Sequence, residues 1–259
     1  MTPDITPQSL RTLVSAFVAD YQARPDIRNW WRPPLLVTAR ADDRFGILAE
    51  IAAENHLMPS DLLADAETVV VFFIPFQTSL GKENADGPYP CRNWGLAYEA
   101  TNTLIGLIAD KIAGYLIDHG FKVAQTPATH NFDPEALTAR WSHKHLAFIS
   151  GLGRFGINAQ MITPAGCAGR LGSLVTSAVI ADGPLVDENE LCLHKRGETC
   201  LKCVARCPVR AVAESGINRQ RCWDRLNDNR IHLDALAGMQ DSTHVCGKCV
   251  VDLPCSVRE

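Results

Sequence analysis

Between Pro7 and Gln22 the apolar residues Leu10, Leu13, Val14, Phe17 and Val18 recur three and four positions apart. That is the spacing of one helix face, so an amphipathic helix is predicted there. Leu35 to Thr38, after Pro33 and Pro34, is a short apolar run predicted as a strand. Thr68 to Pro75 (TVVVFFIP) is continuous, β-branched and aromatic, the pattern of a strand buried on both faces. Gln77 to Arg92 is polar and carries Gly and Pro; a loop of that length in a compact domain is expected to belong to a site or lid. Asn93 to His119 is the longest predicted helix, with a stripe of Leu104, Ile108, Ile112 and Tyr115 and with Gly120 as its stop. Phe121 to Thr126 and Gly172 to Ile180 are strand-like, and Asp133-Pro134 has the form of a helix start. Helices between strands imply a layered α/β domain over residues 1–186, and leave room for a mixed sheet. An acidic hinge, Asp187 to Glu190, leads into a distinct C-terminal module, 187–259.

Composition narrows the picture. The chain has 259 residues, is 46% hydrophobic and carries a net charge of -4, enough apolar material for a full core. No Lys/Arg block points to a nucleic-acid partner. The start of the chain has neither a basic segment nor an apolar stretch, and no apolar run is long enough to cross a bilayer, so a cytoplasmic protein without membrane contact is expected.

The module is defined by cysteines. Eight of the ten fall in two groups of four: Cys192, Cys200, Cys203, Cys207 and Cys222, Cys246, Cys249, Cys255. Cys200 to Pro208 reads C-x2-C-x3-C-P, the core of the bacterial ferredoxin run, in which the Cys before Pro serves the other cluster. Eight thiolates suffice for two [4Fe–4S] clusters. On a crossed scheme Cys192, Cys200 and Cys203 take Cys255, while Cys222, Cys246 and Cys249 take Cys207. The insertion between Cys192 and Cys200, and the five residues between Cys249 and Cys255, depart from the ferredoxin spacing. The alternative is a structural zinc site from Cys200, Cys203, Cys246 and Cys249, which leaves four cysteines without a role. Lys202, Gly247 and Lys248 sit beside the ligands. Backbone N–H groups and cations there would stabilise a negative cluster, although lysines at such positions are commonly a solvated face.

Other motifs weigh less. GLGRFG, Gly151 to Gly156, matches G-x-G-x-x-G, but a helical segment precedes it and an extended one follows. That is the reverse of the dinucleotide-binding order, so no NAD(P)H binding is expected. His143 and His145 are two apart, on different faces of a helix, and do not share a metal. Cys91 and Cys167 lie outside the cluster spacing and read as buried apolar thiols. The turn from Gly166 to Arg170 either borders a cofactor or is only a turn. Trp30 and Trp31 read as core packing or a partner surface.

Residues 141–163 (WSHKHLAFISGLGRFGINAQMIT), the C-L-x-C-x-x-R-C-P run and the ending Cys246-x2-Cys249 to Pro254-Cys255 together resemble the epoxyqueuosine reductase-like double-cluster proteins, relatives of the corrinoid-dependent reductive dehalogenases. The resemblance implies a cobalamin beside the nearer cluster, with Gly151, Leu152, Gly153, Gly156 and Asn158 lining its edge by backbone contact. It also exposes departures. Leu137 stands where the family has a proton-donating Asp, Ile157 stands where it has Lys, and the family's RNA-binding repeat region does not occur in this sequence. No catalytic residue is therefore assigned, and tRNA is not the expected substrate.

The function expected is an iron–sulfur oxidoreductase. Electrons would come from an external donor of ferredoxin or flavodoxin type and go to a small-molecule or protein acceptor. The alternative is a non-catalytic ferredoxin-type carrier or reductive activator of a partner protein.

Overall fold

The computed structural model describes residues 5–126 and 132–258. In chain order the elements are helix α1 (Pro7–Gln22), strand β1 (Leu35–Arg40), the short helices α2 (Leu48–Ile51) and α3 (Pro59–Leu62), strand β2 (Thr68–Pro75), then α4 (Thr78–Glu83) and α5 (Arg92–Asp118). Next come β3 (Val123–Gln125), β4 (Phe132–Asp133), β5 (Thr138–Ala139), α6 (His143–Ile149), β6 (Arg154–Phe155), β7 (Met161–Ile162) and β8 (Gly169–Thr176). The last part carries α7 (Lys202–Arg206), β9 (Val212–Ala213), β10 (Gly216–Ile217) and α8 (Arg219–His232).

The described chain divides into two compact units whose segments alternate along the sequence. The first comprises 1–74, 104–152 and 170–187; the second comprises 75–103, 153–169 and 188–259. The last crossing falls between Asp187 and Glu188, within the acidic run. Two earlier stretches also join the cysteine-rich segment.

The first unit is built on a four-stranded sheet in the order β1-β2-β8-β3. β1 pairs antiparallel with β2 (Val37 opposite Val71), and β3 with β8 (Ala124 opposite Val175). The Glu67 N–H donates to the Thr176 carbonyl beside β2 and β8, so the start of one meets the end of the other. All three pairings therefore run antiparallel, and the mixed sheet that the sequence left room for does not form. β2 is buried at every position, as its unbroken apolar run requires. Gly172 lets β8 lie directly against the Phe72 ring, where a Cβ would overlap it. α1 starts with a capping box: Thr6 Oγ1 accepts from Ser9 N at 3.1 Å, and Thr6 N donates to Ser9 Oγ at 3.0 Å. In the part of α5 within this unit the buried stripe is Leu104, Ile108, Ile112 and Leu116. Its fourth member is Leu116, since Tyr115 is only half-buried. Gly120 ends the helix at φ +86°, with the Phe121 N–H returning to the Leu116 carbonyl.

One expected helix is absent. Asp133 does cap N–H groups, accepting from Glu135 (2.8 Å) and Ala136 (3.0 Å), but in a tight turn between β4 and β5. Leu137 at φ +53° turns the chain out of any helical path. In the second unit, part of the supposed loop 77–92 is helical, as α4.

Candidate metal centres in the cysteine-rich unit

The second unit holds a cavity that is partly open to solvent. Cys192, Cys200, Cys203 and Cys255 line it, together with Gly156, Ile157, Asn158 and apolar side chains such as Ile162, Leu193 and Leu253. Burial and then the neighbouring Cys255 and Cys192 sulfurs push the Cys203 thiol up to about 11, with Cys200 adding to the effect. The other four thiols also lie together. Burial, followed by the Cys246, Cys222 and Cys207 sulfurs, drives the Cys249 thiol far up, and Cys203 contributes from the first group. Clustered, desolvated thiols of this kind resist ionisation until a cation compensates their charge.

Cys255 thus stands with the first group and Cys207 with the second. The zinc set of Cys200, Cys203, Cys246 and Cys249 would draw two members from each. Among the described residues no three Cys, His, Asp or Glu side chains close on one point as ligands of a single ion. The four thiolates of a cubane bind four different irons, so they surround a volume and need not converge.

Local structure explains how the thiols are held. Cys203 lies on α7 and Cys222 on α8, whose N-cap Asn218 accepts from the Arg221 N–H. The Ala211 N–H donates to Cys207 Sγ at 3.1 Å. Asn158, 1% exposed, donates Nδ2–H to the Cys249 carbonyl at 2.6 Å and accepts from the Gln160 N–H. Gly247 sits at φ +75° beneath the Trp94 indole.

Lys248 is not on a solvated face. It is 2% exposed, and its Nζ donates to the carbonyls of Asn84 (2.6 Å) and Asp86 (2.9 Å). Burial pulls its pKa down, opposed by the Cys246 sulfur. Arg206 donates to the Ala85 carbonyl at 2.6 Å and Arg225 to the Pro88 carbonyl at 2.8 Å. Three cations from the cysteine-rich segment therefore hold the backbone of 84–88. The Asn84 side chain, fully buried, accepts from the Cys91 N–H and donates to the Cys246 carbonyl. Lys202 is exposed at the cavity rim. Sequence reasoning identified 77–92 as a candidate for a site but missed its partners. The one available signal was its density of Gly, Pro and Asn.

The glycines of 151–156 face atoms of the chain itself. A Cβ on Gly151 (φ +72°) would lie 2.6 Å from Pro184 Cβ. One on Gly153 would overlap the Ile162 carbonyl, and one on Gly156 would lie 2.6 Å from Asn158 Oδ1. Leu152 is fully buried. Gly156 and Asn158 border the thiol cavity, whereas Gly151 and Leu152 belong to the first unit. The motif is preceded by α6, contains β6 and is followed by β7, so a helix comes before it and an extended segment after it, as expected from sequence.

The histidines of the first unit serve separate partners. The Ser142 N–H donates to His56 Nε2 at 2.9 Å, which leaves the His56 proton on Nδ1, where it bonds the Leu57 carbonyl. His145 Nδ1 meets Ser142 Oγ, and His143 Nδ1 meets Ser173 Oγ, each at 2.7 Å. The Trp141 indole N–H also donates to Ser173 Oγ. Trp30 and Trp31 are buried, as packing residues. Among the described residues no helix is long and apolar enough to cross a membrane.

No protein-family model matches this sequence, and neither does any curated protein. Solved structures do match. An epoxyqueuosine reductase from Bacillus subtilis superposes with TM-score 0.55 at 15% identity, over 96% of this chain and 66% of its own. An epoxyqueuosine reductase bound to a modified tRNA stem loop matches with TM-score 0.51 at 16% identity, over 85% of this chain and 58% of its own. A reductive dehalogenase described as acting through B12 matches with TM-score 0.51 at 14% identity, over 73% and 26%. The chain spans about two thirds of the reductases' length and about a quarter of the dehalogenase's. At these identities the likeness is one of fold, and the fold is shared with the proteins that the sequence resembles.

Proposed function

We propose that this chain is an iron–sulfur oxidoreductase with two [4Fe–4S] centres on the fold of the epoxyqueuosine reductases. Cys192, Cys200, Cys203 and Cys255 hold one centre, and Cys207, Cys222, Cys246 and Cys249 hold the other. The observation that carries the reading is the cavity lined by four thiols drawn from widely separated positions, 192 to 203 and 255. The donor set fits the group: all-sulfur, desolvated and flanked by a buried ammonium. Bound there, such clusters supply one-electron transfer at low potential, between a donor of ferredoxin or flavodoxin type and a small-molecule or protein acceptor. The chain's own contribution is to hold the thiols, to exclude water through Ile162, Leu193 and Leu253, and to place positive charge near Cys246 through Arg225 and Lys248.

Cobalamin as the acceptor-side cofactor rests on the resemblance. The glycines of 151–156 are taken up by contacts with the protein's own atoms, so they do not by themselves argue for a macrocycle, and no step is derived through one. tRNA is not the substrate in this reading, given the acidic balance of the chain and Leu137 where the family has its proton donor. Were the protein to bind iron and sulfide but no cobalt, the electron-carrier reading would be favoured.

Protein purified without oxygen is expected to hold about eight iron and about eight sulfide per chain, as two clusters of four require. About one zinc with no labile sulfide would refute the assignment, and cobalt measured in the same sample tests the corrinoid. The crossed ligation has its own check. In Cys207→Ala, paramagnetic resonance of the reduced protein should show the centre of Cys222, Cys246 and Cys249 altered and the other preserved. Alteration confined to the centre of Cys192, Cys200 and Cys203 would mean that the ligands do not cross.

A further inference from the structure

Cys167 lies outside both groups of four, yet the structure brings it to one of them. The turn that carries it is clasped to the segment of Cys255. The Cys167 N–H donates to the Cys255 carbonyl at 2.8 Å, and the Ala168 N–H donates to the Ser256 carbonyl at 3.2 Å. Gly166, at φ +98°, lies where any Cβ would overlap the Ser256 carbonyl. The residues around Cys255 are closed on themselves as well: the Leu253 N–H donates to Ser256 Oγ, and the Ser256 N–H to the Leu253 carbonyl. In this clasp the Cys167 thiol is 5% exposed, and its Sγ is 3.9 Å from Cys255 Sγ and 3.9 Å from the Val250 carbonyl.

A thiol has one proton to donate and two acceptors here. A metal-bound thiolate carries negative charge, and a charge-assisted hydrogen bond is stronger than one to a neutral carbonyl. Hydrogen bonds to ligand sulfurs also favour the reduced state of a cluster, which bears one more negative charge.

We propose that Cys167 is a positioning residue for the first centre. Its thiol donates an S–H···S hydrogen bond to Cys255, fixing the ligand that comes from the far end of the module and raising the potential of that centre. The inference rests on the proposed assignment of Cys192, Cys200, Cys203 and Cys255 as cluster ligands.

The test compares the full-length protein with Cys167→Ala and Cys167→Ser, all purified without oxygen. Iron and sulfide contents should be equal in the three. In Cys167→Ala the midpoint of one centre should fall by about tenfold in its reduction equilibrium, ~59 mV for one electron. The other centre should stay in place, and Cys167→Ser, whose hydroxyl can donate, should recover most of the shift. Equal midpoints in all three proteins would overturn the proposal, because a thiol that only fills space has no such effect. Equal falls in Ala and Ser would also overturn it. Loss of about half the iron in Cys167→Ala would overturn it differently, by making Cys167 a ligand. If the parent protein holds no clusters, the proposed function fails first and the inference falls with it.

Discussion

Gly247→Val is expected to destabilise the cysteine-rich unit by about 2–6 kcal/mol, from two additive causes. The backbone at 247 has φ +75°, where a β-branched residue is strained by about 1–3 kcal/mol. A Cβ there would also lie 2.5 Å from Trp94 Cζ2 and 2.6 Å from Nε1. Trp94 has nowhere to retreat: it is 6% exposed and packs edge-on against Phe76, with ring centres 5.1 Å apart. Overpacking of that kind costs about 1–3 kcal/mol more. Because Cys246 and Lys248 flank the site, iron retention should fall together with stability. Guanidinium unfolding of the anaerobic protein, followed by tryptophan fluorescence, measures the effect. A midpoint matching the parent would mean that this backbone relaxes freely.

Stability should also drop by up to ~3 kcal/mol as the pH falls from about 6.5 toward about 4. Burial depresses His143 from 6.5 to about 4, and the Arg170 charge adds to it. The ring has Nδ1 on Ser173 Oγ, and its enclosed Nε2 has no hydrogen-bond partner among the described residues. A depressed histidine is neutral in the native state at pH values where the unfolded chain already binds the proton. Its contribution is therefore complete above the unfolded pKa and is lost as the pH falls through this window. His56, also lowered by burial, acts in the same direction. Asp42 and Asp133, held below the usual carboxylate range by Arg44 and by backbone N–H groups respectively, act at lower pH. Urea unfolding between pH 7 and pH 5 should give a slope that His143→Gln reduces, leaving the share of His56. Identical slopes in parent and variant would show that His143 takes up its proton without opposition.

What the sequence disclosed follows the range of each signal. α1 and β2 have the predicted boundaries because their causes are local: Thr6 and Ser9 close the capping box, and seven consecutive apolar positions after Thr68 leave β2 no solvent-facing polar side. Cys192, Cys200, Cys203 and Cys255, which line one cavity, were likewise picked out by their spacing. The errors came from contacts at long range or from ambiguous local chemistry. Asp133 accepts N–H groups as a helix cap would, but a hairpin turn uses the same donors. Lys248 reads as a surface charge until the carbonyls of Asn84 and Asp86, more than 160 positions away, are seen to receive it. Cys167 reads as a lone apolar thiol because its partner lies 88 positions along the chain. No window of a dozen residues contains either pair.

The alternation of the two units along the sequence bears on biosynthesis. The stretch 75–103 contributes Phe76, Leu80, Trp94 and Ala97 to the interior of the second unit, whose main segment begins at Glu188. Eighty-five positions separate Thr103 from Glu188. At about 5–20 residues per second, roughly 4–17 s of translation pass before that segment starts to emerge. For that time the aromatic and aliphatic groups of 75–103 lack the neighbours that the segment from Glu188 onward supplies. On the proposed ligand assignment metal loading would be delayed further, since Cys255 is the last of the eight cysteines to be synthesised. The proposed first centre could be completed only after translation has passed Cys255, when the first unit has its complete sequence available.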